Sequence, residues 1–113
     1  MEIKRSKHGN ITVVSPSGRL GFDEAAGAQE EFENAVAEAS VAMVCDCVAL
    51  DYISSAGLRA FLIAAKAAEQ KGIPLVACNL NENVASVFTI SGFDRIVPLH
   101  DTLEAAVAAL SGD

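Results

Sequence analysis

Short apolar runs alternate along this chain with longer amphipathic stretches, and each kind of stretch predicts its own element. The chain opens with residues 1–7, then His8-Gly9-Asn10, then the run Ile11-Thr12-Val13-Val14. A Gly-Asn pair between two short runs reads as a hairpin turn. Ser15-Pro16-Ser17-Gly18 reads as turn chemistry or a kinked strand, with Arg19-Leu20 resuming the second strand. Asp23 is placed to cap a first helix over residues 24–39. In that helix Phe32, Val36 and Ala39 recur at helical spacing and form one face. Glu24, Glu30, Glu31 and Glu33 lie in its first half, where the helix dipole tolerates anions.

Residues 41–45 are nearly all apolar, as in a strand covered on both faces. Asp46 stands at its carboxyl end, and a loop is expected from there to Tyr52-Ile53. Ser54-Ser55 lead into a helix over 56–71, striped by Leu58, Leu62 and Ala65. Lys71-Gly72 is a helix stop, with Pro74 just beyond. Residues 73–78 predict a strand, and Asn79 or Asn81 caps a helix over 82–91 that Gly92 ends. Ile96-Val97 predicts a brief strand, and Asp101 caps a final helix over 102–110.

Two strands followed by alternating helices and strands imply parallel pairing through crossover helices. The expected fold class is therefore α/β. It is a single domain over 1–113, with a mixed, mostly parallel sheet of about 4–5 strands and about 4 helices. In open sheets of this kind functional groups gather at the carboxyl ends of strands. Asp46 and Ser54-Ser55 belong near such an end.

Composition narrows the possibilities. The chain has 113 residues, 51% hydrophobic and 20% charged, which suits one domain with a real core and not a disordered chain. No apolar run approaches the ~18 residues of a membrane span, and no basic stretch followed by an apolar one marks a secretory signal at Met1. No membrane partner is expected. The net charge of −7 repels phosphate backbones, so no nucleic acid is expected either. The acidity suits a basic protein partner, or serves solubility alone. Three cysteines, Cys45, Cys47 and Cys78, point to reduced thiols in a cytoplasmic chain. Cys45 and Cys47 share one face of a strand, too close in sequence to pair, and read as buried packing. His8 and His100 lie far from them in sequence, so no metal and no cofactor are expected.

The informative stretch runs from Asp46 to Arg59: Asp46-Cys47-Val48-Ala49-Leu50-Asp51-Tyr52-Ile53-Ser54-Ser55-Ala56-Gly57-Leu58-Arg59. It resembles the signature of STAS domains in anti-sigma factor antagonists, where a strand-end Asp precedes a loop and then a D/S-S-S/A-G-L segment. Gly18-Arg19-Leu20, Gly72-Ile73-Pro74-Leu75 and Phe93-Asp94-Arg95-Ile96 resemble that family too, so the likeness covers nearly the whole chain. The resemblance implies that Ser55 is phosphorylated by a partner kinase. It makes Asp46 the strand-end neighbour of that serine. Ser54 falls where many members carry Asp, Ala56 where many carry a second Ser, and Gly57 matches the family glycine. Gly21 stands where many members have an acidic residue, with Asp23 two positions later in its place. Asp51 adds a carboxylate to the same surface. Arg59, one turn into the helix, reads as solvated.

Two readings of the serines are compatible: Ser54 as an ordinary helix cap, Ser55 as the modified residue. What the resemblance implies is a bacterial partner switch in transcription regulation. Unphosphorylated, the chain binds an anti-sigma factor serine kinase and sigma factor is released; a phosphatase resets it. The chain would work as a monomer or weak dimer, not as an enzyme, with no catalytic residues. The alternative is a STAS scaffold or regulatory subunit of a larger assembly, stressosome-like or lipid-transporting. A hydrolase using Ser54 or Ser55 with His100 as base is disfavoured, because the G-x-S-x-G elbow is absent. No phosphate-cradling G-x-x-x-x-G-K-[ST] loop is present, so ATP would come with the kinase.

Overall fold

Gly9-Asn10 closes a hairpin. Strand β1 (Glu2–His8) runs antiparallel to β2 (Ile11–Leu20), in register from His8↔Ile11 to Glu2↔Ser17. Gly9 takes φ +64 in the turn, a conformation open to a residue without Cβ. The computed structural model describes residues 1–111; Gly112 and Asp113, part of the expected domain, lie outside the described residues. The stretch 15–18 proves to be a kinked strand. Pro16 is buried inside β2, and Gly18, at φ +89, precedes a shift of register at Arg19. On either side of this bulge β2 holds a different parallel neighbour. β3 (Met43–Asp46) lies beside Thr12–Val14, and β4 (Leu50–Ile53) beside Gly18–Leu20.

Helix α1 (Phe22–Glu38) follows β2, α2 (Ser55–Lys71) follows β4, and α3 (Glu82–Ser91) follows β5 (Leu75–Cys78). A short 3-10 turn (Phe93–Arg95), β6 (Leu99–His100) and α4 (Leu103–Leu110) complete the described chain. The sheet has six strands in the order β1-β2-β3-β5-β6, with β4 also on β2. Every pairing but the first is parallel. This is the mixed, mostly parallel sheet with four helices that the alternation predicts. Among the described residues no helix is long and apolar enough to cross a membrane.

Four expectations need correction. The segment expected as a loop up to Tyr52-Ile53 contains β4. Its exposure pattern, buried at Leu50 and Ile53 and open at Asp51 and Tyr52, follows no period of two. Gly21, not Asp23, precedes α1. The Glu24 carboxylate accepts from the Gly21 N–H at 2.9 Å, and Asp23 is exposed in the first turn. Ile96 and Val97 are not a strand: both their N–H groups donate to the Phe93 carbonyl, at 3.0 and 2.9 Å. The strand forms two residues later, where Leu99 pairs with Ala77. Thr102, not Asp101, caps α4, accepting from the Ala105 N–H at 3.0 Å.

The core lies on both faces of the sheet. On one face α1, α2 and α3 each contribute a fully buried ring, Phe32, Phe61 and Phe88. Phe61 is central, with centroids 4.9 Å from Phe32 and 5.4 Å from Phe88. Of the stripe expected on α2, Leu58 and Ala65 are buried and Leu62 is half-buried. On the other face α4 covers Ile11, Val13, Val44 and Val76 through Ala106, Leu103, Val107 and Leu110. Lys71, at the end of α2, donates to the Val36 and Ala37 carbonyls at 3.0 and 2.6 Å, closing the end of α1.

All three cysteines are buried free thiols. Burial pushes the Cys45 and Cys47 thiols well up, and burial together with the Asp46 carboxylate raises Cys78 to about 12. The folded chain thus keeps thiol protons that the unfolded chain loses. This contribution is whole below about pH 8.5, the ordinary thiol value, and fades as pH climbs towards the raised one. Each thiol is expected to subtract ~1.4 kcal/mol per pH unit there. Urea midpoints measured from about pH 7 to about pH 10.5 test this, and a flat profile contradicts it. At about pH 8 a thiol reagent should label the chain only on unfolding.

Candidate functional site

Three hydrogen bonds fix the start of α2. Ser54 is extended, at φ −91 and ψ 173, and its Oγ accepts from the Gly57 N–H at 3.1 Å, supplying a partner to one of the donors a helix start leaves open. The same Oγ donates to the Leu20 carbonyl at 3.3 Å, and the Ser54 N–H reaches that carbonyl at 2.9 Å. The helix start therefore sits directly on the end of β2. Gly57 makes this approach possible. A Cβ there would stand 2.6 Å from the Leu20 oxygen and 2.7 Å from its Cγ.

Ser54 is thus used by the backbone, while Ser55 is not. Ser55 is the first residue of α2, exposed, and its hydroxyl has no hydrogen-bond partner among the described residues. Ala56 is half-buried behind it and Gly57 is buried. Ser54→Ala is expected to lose ~1 kcal/mol of stability, the ordinary value of a helix cap, and Ser55→Ala almost none. Urea unfolding of the two variants measures the difference. Equal losses would contradict this division between the serines.

The other expected residues lie on neighbouring elements. Asp23 is exposed in the first turn of α1, whose start follows Leu20 directly. Asp51 is exposed on β4, and its carbonyl accepts from the Asn81 side chain at 3.3 Å. Asp46 is half-buried and structurally engaged. Its Oδ1 accepts from the Val48 N–H at 3.3 Å and from Asn79 Nδ2 at 3.0 Å, joining the ends of β3 and β5. Asn79 takes φ +58 there, a backbone state that Asn tolerates better than most residues. Asn81 caps α3 through the Val84 N–H at 2.8 Å and also donates to the Leu50 carbonyl at 3.3 Å.

Three features went unread in the sequence. Phe22 is 82% exposed beside Gly21, an unusual position for a large aromatic. Arg19 stacks over the Tyr52 ring at 4.1 Å, across the β2–β4 pair. A groove of about 720 Å³ runs between α2 and the α3–3-10 segment; Ser55 and Arg59 line it together with Leu58, Leu62, Phe93 and Ile96. Phe22 is marked only by an aromatic at a helix start, and the groove depends on how two helices pack.

The arrangement offers little for hydrolysis. The Ser54 hydroxyl is occupied by the Leu20 carbonyl. His100 is on β6, three strands along the sheet from β2, against whose end Ser54 sits. What it offers is an accessible hydroxyl at a helix start, beside the apolar side chains of the groove, at the end of the sheet where β2, β4 and β5 each lead into a helix.

Comparison with known proteins agrees with this anatomy. The STAS domain family model matches residues 2–106. A candidate anti-sigma factor antagonist of Bordetella bronchiseptica, BtrV, is 37% identical over 109 residues, covering 96% of this chain and 94% of that protein. The crystal structure of an anti-sigma factor antagonist from Mycobacterium paratuberculosis is similar at TM-score 0.85 and 25% identity, over 97% of this chain and 93% of that one. The phosphorylated form of SpoIIAA, a Bacillus cell fate determinant, is similar at TM-score 0.72 over 96% of this chain and 99% of that one. At 16% identity that last likeness concerns the fold. With its sheet order, its serine-capped helix and a family match over nearly its whole length, the chain belongs to the STAS-domain family, as the anti-sigma factor antagonists do.

Proposed function

We propose that this chain is an anti-sigma factor antagonist working as a phosphorylation-controlled protein switch in the bacterial cytoplasm. Unmodified, it binds an anti-sigma factor that is a serine kinase, and sigma factor is set free. The kinase brings ATP. The Ser55 Oγ attacks the γ-phosphorus, an O–P bond forms as the bond to ADP breaks, and the hydroxyl proton passes to a base on the kinase. The phosphorylated chain is released, and a phosphatase returns it to service. Asp23, Asp51, Asp46, Ser54, Ala56 and Gly57 form or support the surface around Ser55. The switch itself is a monomer or weak dimer.

One observation carries this reading: the Ser55 hydroxyl is exposed and unengaged at a helix start whose cap is already supplied by Ser54. A phosphate adds ~1.5–2 negative charges there. The positive end of the helix dipole accommodates them, so the fold survives. A partner whose surface over the site offers no cation of its own must bury the added charge, at a cost of several kcal/mol. Since ~1.4 kcal/mol is a tenfold change in affinity, modification suffices for release.

The cognate kinase with ATP should label wild type and not Ser55→Ala. Ser55→Ala should bind the kinase as wild type does, and Ser55→Glu at least about tenfold more weakly. Equal labelling of wild type and Ser55→Ala would remove Ser55 from the mechanism. Elution as a large particle in size-exclusion chromatography would favour a scaffold role instead.

A further inference from the structure

Arg59 stands one helical turn after Ser55, and both side chains line the groove between α2 and the α3–3-10 segment. On a helix, residues four apart are neighbours, with Cβ atoms ~5–6 Å apart. Arg59 is exposed and makes no ion pair among the described residues. The other charged groups of the groove are Lys66 and Glu69, also on α2; the facing wall contributes Ser91, Phe93 and Ile96, none of them charged. Lys66 is eleven residues beyond Ser55, ~16 Å along the helix axis, too far to meet it. Arg19, the basic side chain before α1, is stacked on Tyr52. Among the groove's cations, Arg59 alone is within reach of Ser55.

We propose that Arg59 clasps the phosphate carried by phosphorylated Ser55, so that modification withdraws the cation at the groove mouth as well as adding an anion. The inference rests on the reading of Ser55 as the modified residue. A guanidinium fork matches two phosphate oxygens and forms short, charge-assisted hydrogen bonds with them. The order along the helix is the favourable one, anion towards the N-terminus and cation four residues later. In the unmodified chain the groove mouth carries an unpaired positive charge above an apolar floor of Leu58 and Leu62. In the modified chain that charge is engaged, and the phosphate is held at one place on the surface. Arg59 is thus a positioning residue for the switch.

The test uses the full chain with phosphoserine installed at position 55 during translation, so that no kinase is involved. Phosphorus NMR then follows the second ionisation of the phosphate against pH. In wild type it should lie below the value of about 6 found for exposed phosphoserine. Arg59→Gln should raise it by about half a pH unit, a roughly threefold loss of acidity, and Arg59→Lys should fall between the two. Arg95→Gln, on the 3-10 turn, should leave it unchanged. Circular dichroism should show the same helix content throughout. Identical titration of wild type and Arg59→Gln overturns the clasp. If a cognate kinase fails to label Ser55 while the titration behaves as described, the functional reading has failed and the clasp has not.

Discussion

Phe61→Ala is expected to lower the unfolding free energy by about 3–5 kcal/mol, as burial of a large ring in a closed core implies. The ring sits between Phe32 of α1 and Phe88 of α3, with no exposure to solvent. Its removal ends two aromatic contacts at once and leaves space bounded by three helices, none of which can close it without leaving the sheet. Small domains hold only ~5–15 kcal/mol in all, so the variant should be partly unfolded at modest urea concentration. Phe61→Leu, which keeps most of the volume, should lose less than about 1.5 kcal/mol. Urea midpoints of the two variants decide. If Phe61→Ala also loses less than about 1.5 kcal/mol, the three-ring cluster is not a keystone of the fold.

Gly57→Ala sets two effects of opposite sign against each other. Within a helix, alanine is favoured over glycine by ~1 kcal/mol. At Gly57 the added Cβ would lie 2.6 Å from the Leu20 oxygen, against backbone that has no room to yield. Overpacking of this kind costs ~1–3 kcal/mol, and lifting α2 also stretches both Ser54 contacts to Leu20. We expect net destabilisation, with faster amide exchange at Ser54. Gly27 provides the control. It lies on α1 with nothing within 4 Å of its would-be Cβ, so Gly27→Ala should stabilise by ~0.5–1 kcal/mol. Stabilisation by both substitutions would show that the close approach at Gly57 is not required.

Features written in local chemistry are legible in the amino-acid sequence itself. Gly9-Asn10 specifies its turn, Gly72 and Gly92 their helix ends, and the alternating apolar runs a mostly parallel sheet. Ser54 and Ser55 are legible as a helix entrance for the same reason. What depends on distant partners is not legible. Strand β4 exists because β2 is long enough, and bent enough at Gly18, to hold a second neighbour after β3 ends. The cap of α1 depends on the Glu24 side chain folding back onto Gly21, which makes Asp23 a misleading sign. Asp46 carries no mark of its engagement with Asn79, thirty-three residues away. Phe61 completes the i, i+3, i+4, i+7 face of Leu58, Leu62 and Ala65, so its burial is legible from spacing. Its place between Phe32 and Phe88 is not, because packing between α1, α2 and α3 sets that.

If Ser55 is the modified residue, as proposed, the unequal use of Ser54 and Ser55 also bears on fidelity. An enzyme that mistook one for the other would have to strip Ser54 from both its donor and its acceptor before reaching it, loosening the very turn that presents the target. Its neighbour asks for no such disruption. The chain thereby builds selectivity between adjacent, chemically identical groups into its own resting state, and an approaching enzyme need not supply all of that discrimination itself.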